Sequence, residues 1–279
     1  MRKKKKREST EKCERSANSV KITVLLENTS CRPDLTEEHG LSLYIETGGR
    51  RILFDMGKTD AFTENAEKLG IDLASVDTAI LSHGHNDHGG GMETFLRCNT
   101  CAPLYATPRA FEPHYNRFGS YIGLEAALQT SPRLVFTEEE CSLGENLTLY
   151  SCNSRLRPFG TDTGGLQVEA QGLLLPEDFR HEQYLLVREG EKRILISGCS
   201  HKGICNLASW FQPDILVGGF HLKDKEAGDP AISQLGKTLG DFHTVYYTGH
   251  CSGTAQYDLL KGILGGRLQA FSTGTVLEL

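Results

Sequence analysis

The chain has 279 residues, 38% of them hydrophobic, with 30 Gly and 9 Pro. These are globular proportions that exclude collagen, coiled coil and wholesale disorder. Residues 1–15 carry a local charge of +5 and the remaining 264 a balance of −11. The body therefore has no bulk attraction for nucleic acid or an anionic membrane, and an anionic substrate needs a local site, most simply a metal.

No apolar run approaches the roughly 18 residues of a membrane helix. Arg2 to Arg7 form a block of like charge without the apolar segment of a signal peptide. The nine cysteines then read as reduced thiols of a cytoplasmic protein. Cys98 and Cys101 have redox-motif spacing but no second pair beside them, and read as ordinary loop cysteines. The expected organisation is a basic, disordered tail over residues 1–19 and one domain over 20–279.

In chain order, Val20 to Glu27 reads as a strand, and Leu41 to Glu46 with Arg51 to Phe54 as a hairpin turned at Gly48-Gly49. Asp60 to Leu69 has helical spacing, with Gly70 as its stop. Thr78 to Leu81 is a short buried strand whose end runs into Ser82-His83-Gly84-His85-Asn86-Asp87-His88-Gly89-Gly90-Gly91, read as a loop. Its glycines offer positive φ and close backbone approach. Residues 92–165 are the least legible: a helix near Gly91 to Arg97, a strand at Leu104 to Ala106, then irregular sequence. Leu166 to Glu169 reads as a strand, and Gln183 to Arg188 with Arg193 to Ser197 as an antiparallel hairpin. An alternation follows: helix Ile204 to Trp210, strand Asp214 to Val217, helix Ile232 to Leu239, strand Thr244 to Thr248, helix Ala255 to Leu264, and a closing strand Leu268 to Phe271. Sheet and helix in both halves, with a histidine-bearing turn at a strand end in each, indicate a layered α/β domain with two sheets inside.

Three imidazoles and a carboxylate in six residues, His83, His85, Asp87 and His88, are costly to gather without a charge to coordinate. Histidine nitrogen and aspartate oxygen are zinc ligands, and the four exceed what one catalytic zinc needs. His83 and His85 point the same way at a strand end and can hold one ion. Asp87 and His88 fall past the turn and can hold a second.

HxHxDH after a short buried strand resembles the signature of the metallo-β-lactamase fold superfamily. The resemblance implies an αββα sandwich: two mixed sheets inside, helices on the outer faces, and two metal ions at one edge. Longer stretches resemble its 7,8-dihydropterin-6-methyl-4-(β-D-ribofuranosyl)aminobenzene-5′-phosphate synthase branch over residues 20–279. They are Leu25 to Thr29, Glu38 to Ile45, Ile52 to Gly57, Ser82 to Gly90, Gly198 to Ile204, Gly218 to Leu222 and Thr248 to Gly253. The resemblance makes His83, His85, Asp87 and His88 the first metal motif and His250 the last metal histidine. A bridging carboxylate is expected after the strand ending at Gly198, and this chain has Cys199-Ser200-His201 instead. His201 is then the favoured ligand, with Cys199 close by. His181 occupies the place of the third motif, where a structural role explains it nearly as well. His221 is assigned a substrate or supporting role, and His39, His114 and His243 fall outside the metal motifs.

The leading functional expectation is a dinuclear metal-dependent hydrolase. A hydroxide bridging two divalent ions would attack a phosphoester or related small anionic molecule, with Asp87 both ligating and orienting it. Zinc is the default ion, and manganese or iron fit the same donors. Two alternatives stand beside it: a transferase joining a pterin to an aminobenzene ribosyl phosphate, and a non-catalytic metal-bound sensor or binding module. Tyr115, Phe118, Tyr121 and Trp210 are the aromatics for stacking on a pterin, although such spacings more often mark core.

Overall fold

The computed structural model describes residues 19–226 and 228–279. The basic tail expected at the N-terminus lies outside them, apart from Ser19.

β1 (Lys21–Leu26), β2 (Ser42–Thr47) and β3 (Arg50–Phe54) form an antiparallel meander. Thr47 pairs with Arg50, so Gly48 and Gly49 alone make the turn, at φ 55° and 75°. Positive φ at both central residues is what a two-residue hairpin twisted like its strands requires. After α1 (Ala61–Lys68), β4 (Thr78–Ile80) joins β3 in parallel. The motif segment then supplies one turn of helix, α2 (Asn86–Gly89), before α3 (Met92–Cys98). β5 (Leu104–Ala106) and β7 (Leu134–Phe136) extend this sheet. β6 (His114–Tyr115), β10 (Gln167–Ala170) and β11 (Leu173–Pro176) make a separate three-stranded sheet.

The second large sheet begins with β8 (Glu140–Gly144) and β9 (Leu147–Tyr150), and continues through the expected hairpin of β12 (Tyr184–Glu189) and β13 (Lys192–Ile196). It ends in the parallel strands β14 (Ile215–Val217), β15 (Val245–Thr248) and β16 (Leu268–Ala270). α4 (Ile204–Phe211), α5 (Pro230–Gly240) and α6 (Thr254–Leu264) are the intervening helices.

The period of two sorts side chains into layers. Ile22, Val24, Ile45, Ile52 and Phe54 face Leu185, Val187, Ile194 and Ile196 between the sheets. Their neighbours Leu25, Leu53 and Ala79 turn outward onto Phe62, Met92 and Phe95. Tyr184, Leu186, Leu195 and Tyr246 turn onto Leu207, Ile232 and Leu260. Both faces of each central strand are thus buried, so a one-residue slip would exchange two cores, which pins the register. The result is the expected αββα sandwich, two mixed sheets with helices outside.

Three expectations are corrected. Leu268–Ala270 does not close the chain: β17 (Val276–Glu278) returns to pair with β1 across the sandwich. Asp87 and His88 lie in α2, not a loop, because Asn86 to Gly89 continue as a helical turn. Gly89, Gly90 and Gly91 are absent from the positive-φ residues. Close approach alone requires them: a Cβ on Gly90 would sit 2.2 Å from the Lys58 carbonyl oxygen, and one on Gly91 2.2 Å from that of Met56. Among the described residues no helix is long and apolar enough to cross a membrane.

Candidate metal centre

The site lies where parallel strands of both sheets end at their carboxyl edges, so that short loops from either half meet. Asp55, just past β3, takes a left-handed φ of 61°, a conformation aspartate tolerates better than most residues. Its carboxylate accepts the Ser82 N–H at 2.7 Å, the Ser82 hydroxyl at 2.7 Å and His88 Nδ1–H at 2.6 Å. Ser82 Oγ, having donated to Asp55, accepts His83 Nδ1–H at 2.8 Å. From the other half, His250 Nδ1–H donates to Asn28 Oδ1 at 2.8 Å. His83, His88 and His250 therefore carry their protons on Nδ1 and turn Nε2 lone pairs inward.

Those lone pairs converge. His83 Nε2 lies 3.3 Å from His201 Nε2, and His88 Nε2 lies 3.1 Å from both His250 Nε2 and Cys199 Sγ. Asp87 Oδ2 is 3.4 Å from His250 Nε2. His83, His85 and His201 group within 4.8 Å of one another at one position. Asp87, His88 and His250, with Cys199, gather at a neighbouring one. A backbone that brings β13's end against the motif needs Gly198, since a Cβ there would be 2.2 Å from Ser82 Oγ. His201 is steadied by stacking on Phe179 at 4.7 Å and by its own N–H on Glu182.

The electrostatics match the geometry. Burial, reinforced by neighbouring imidazoles, pushes His83 and His201 far below the ordinary histidine value, and His85 is likewise depressed. Burial lowers His250 to about 3. Burial works against the charged form of His88 too, but Asp55 and Asp87 outweigh it and raise His88. Burial also opposes ionisation of Asp87, yet the surrounding histidines hold its carboxyl well below the usual range. Burial and the adjacent Cys251 push the Cys199 thiol well up. Imidazoles facing one another nitrogen to nitrogen, around an ionised carboxylate, are a donor set that fits a divalent cation.

His181 is placed differently from the ligands. Its Nδ1 accepts the Gly84 N–H at 2.9 Å, so its proton sits on Nε2, which faces Glu177 Oε1 at 3.7 Å. It thus grips the peptide between His83 and His85. His114 stacks on it at 4.1 Å and donates Nδ1–H to Glu177 at 2.7 Å. His85 Nε2, His181 Nε2 and His201 Nδ1 have no hydrogen-bond partner among the described residues.

Sequence reasoning assigned no role to Asp55, Asn28, Glu177 or Cys251. Asn28, Asp55 and Cys251 fall within stretches that carried the family resemblance, which was the available signal. His39, set outside the metal motifs, stacks on His250 at 4.8 Å with Nε2 3.3 Å from Asp87 Oδ2. His114 is buried and structural, and His243 is exposed.

A cleft of about 380 Å³ opens in front of the centre, lined by Lys58, Arg117, Lys223, Cys199, His201 and His221 among others. His221 lines it and packs edge-on against His201 at 4.3 Å. Phe118, 78% exposed, and Tyr121, 49% exposed, stand on its wall and not in the core. Tyr115 packs edge-on against Tyr121, and Trp210 packs against the α4 core.

The model of the metallo-beta-lactamase superfamily matches residues 35–221. The chain is 29% identical over 272 residues to the 7,8-dihydropterin-6-methyl-4-(beta-D-ribofuranosyl)-aminobenzene-5′-phosphate synthase of Methanocaldococcus jannaschii, covering 85% of this chain and 88% of that one. Tm1679, a metal-dependent hydrolase of the beta-lactamase superfamily, superposes with a TM-score of 0.80 at 30% identity, over 93% of this chain and 99% of its own. YhfI from Bacillus subtilis shares the fold, with a TM-score of 0.57 at 14% identity over 94% of this chain and all of its own. The chain belongs to the metallo-beta-lactamase superfamily.

Proposed function

We propose that residues 20–279 act as a hydrolase of phosphoesters or related small anionic molecules at a two-ion centre, in a reducing, cytoplasmic setting. The observation that carries this is the confrontation of Nε2 lone pairs at 3.1 and 3.3 Å, with Nδ1 of His83, His88 and His250 already committed. His83, His85 and His201 would hold one ion, and Asp87, His88, His250 and Cys199 the other. Zinc suits this mixture of imidazole, carboxylate and thiol best, ahead of manganese or iron. Bound ions of this kind supply a Lewis acid and make water nucleophilic near neutral pH.

The chain's own groups do the rest. Asp87, ionised and beside the cleft, would orient a water there. Lys58, Arg117 and Lys223 outnumber Asp224, which faces Arg117 at 3.7 Å, and give an otherwise acidic body a locally cationic rim that gathers the anion. Lys223 Nζ donates to His39 Nε2 at 2.7 Å, which fixes that rim beside Asp87. Zinc-reconstituted protein is expected to hydrolyse bis(p-nitrophenyl) phosphate or p-nitrophenyl phosphate. His83→Ala and Asp87→Ala should lose metal and activity with near-native far-UV circular dichroism. Full activity in both variants, or none in the wild type on either ester, overturns the reading.

The synthase reading has its own support in the exposed Phe118 and Tyr121 on the cleft wall and in the name of the Methanocaldococcus relative. Quenching of pterin fluorescence by the wild type, relieved in Phe118→Ala, would favour it.

A further inference from the structure

Cys251 was given no role among the motif residues that marked the centre, although it follows His250 in the Thr248 to Gly253 stretch, and it stands inside the centre. The ligand atoms of Cys199, His250 and Cys251 all lie within 4.8 Å of one another, and all three residues are buried. Cys199 Sγ is also 3.1 Å from His88 Nε2. The loop after β14 is shaped around the second sulfur: a Cβ on Gly219 would fall 2.3 Å from Cys251 Sγ. The His221 N–H points at that sulfur from 3.2 Å, supporting electron density there. Both sulfurs line the cleft, so an ion entering from it meets both.

We propose that Cys199 and Cys251 together present two thiolates to the position formed by Asp87, His88 and His250, making it selective for a thiophilic divalent ion, zinc foremost, over magnesium or manganese. The inference rests on the two-ion reading above and adds to it the class of metal. Each sulfur gives up its proton to solvent as it binds, with no change of oxidation state. Hard oxygen-seeking ions gain little from sulfur, whereas zinc and cobalt gain greatly. The other position, built from His83, His85 and His201, has at most the Cys199 sulfur, which also groups with His83 and His88, and so discriminates less.

Cobalt is the probe. The full chain, stripped with chelator and titrated with Co²⁺, should develop sulfur-to-cobalt charge-transfer absorption in the near ultraviolet alongside visible ligand-field bands. Cys199→Ser and Cys251→Ser should each retain about half of that absorption, and the double variant none. Cys98→Ser/Cys101→Ser, which alters only exposed thiols, should leave it unchanged. Visible bands without charge transfer, or charge transfer fully retained in both single variants, overturn the thiolate assignment and leave the two-ion reading standing. Failure to bind cobalt at all overturns both.

Discussion

Asp55→Asn is the most informative single substitution, because it is isosteric and asparagine also accepts the left-handed φ of 61°. The backbone is therefore not what changes. The amide oxygen can keep the Ser82 N–H at Oδ1, but the amide nitrogen then replaces an oxygen that accepts both Ser82 Oγ–H and His88 Nδ1–H. Two donors meet a donor. His88 can relieve this by moving its proton to Nε2, which removes the lone pair it aims at His250 and Cys199. Loss of the group that orients a metal-binding histidine costs about 10- to 100-fold in metal affinity, or about 1.4–2.7 kcal/mol. Any donor left stranded in the metal-free protein costs about a further 1–3 kcal/mol of stability. Zinc titration against a competing chelator reads the first quantity, and denaturant unfolding of the metal-free protein reads the second. Affinity within about twofold of wild type would refute the claim that Asp55 sets the tautomer of His88.

Glu177→Gln acts one layer further out. It leaves either His114 Nδ1–H or the N–H groups of Asp178 and Phe179 without a full acceptor, so stability should fall by about 1–3 kcal/mol. Both ions should still bind, more weakly, through the loosened His181 grip on Gly84; unchanged chelator competition would contradict this. The metal-free protein should also be acid-sensitive. Burial lowers His221 to about 4 and His250 to about 3 in the native state, whereas the unfolded chain takes protons near the ordinary 6.5. Native stability is then fully present above about pH 6.5 and lost as pH falls toward those values, by up to about 1.4 kcal/mol per pH unit for each residue. His88, raised by Asp55 and Asp87, works in the opposite sense. Equal denaturant midpoints for metal-free protein at about pH 7 and about pH 5 would contradict the excess of depressed histidines over His88.

The fold was most legible where pattern and punctuation agreed. β1 to β4 and the run from β12 to β16 are short aliphatic strands bounded by turn residues, and the helices between them follow the 3.6 period. The middle was opaque because its strands are not two-faced. Leu173, Leu174 and Leu175 lie on β11, an exposed sheet edge, and Leu134 to Phe136 is only partly covered. β17 escaped notice because its pairing with β1 joins positions about as distant as the chain permits, which no local period can report.

For the site, close spacing exposed His83, His85, Asp87 and His88, and family resemblance brought in His201, Cys199 and His250. Asp55 and Cys251 lay in stretches of the family resemblance, but their roles, like that of Glu177, depend on partners set by chain segments that meet only in three dimensions. His181 stands in the expected place in the chain; its Nδ1 takes the Gly84 amide, and it groups with His85, His114 and Glu177 within 4.8 Å.

Metal content by mass spectrometry on protein purified without added metal, in wild type, His201→Ala, His88→Ala and His181→Ala, tests the central claim most directly. The account predicts two equivalents in wild type, a fall toward one in His201→Ala and in His88→Ala, and two bound more weakly in His181→Ala. One equivalent or none in wild type, or loss of an ion in His181→Ala with none lost in His201→Ala, would contradict it.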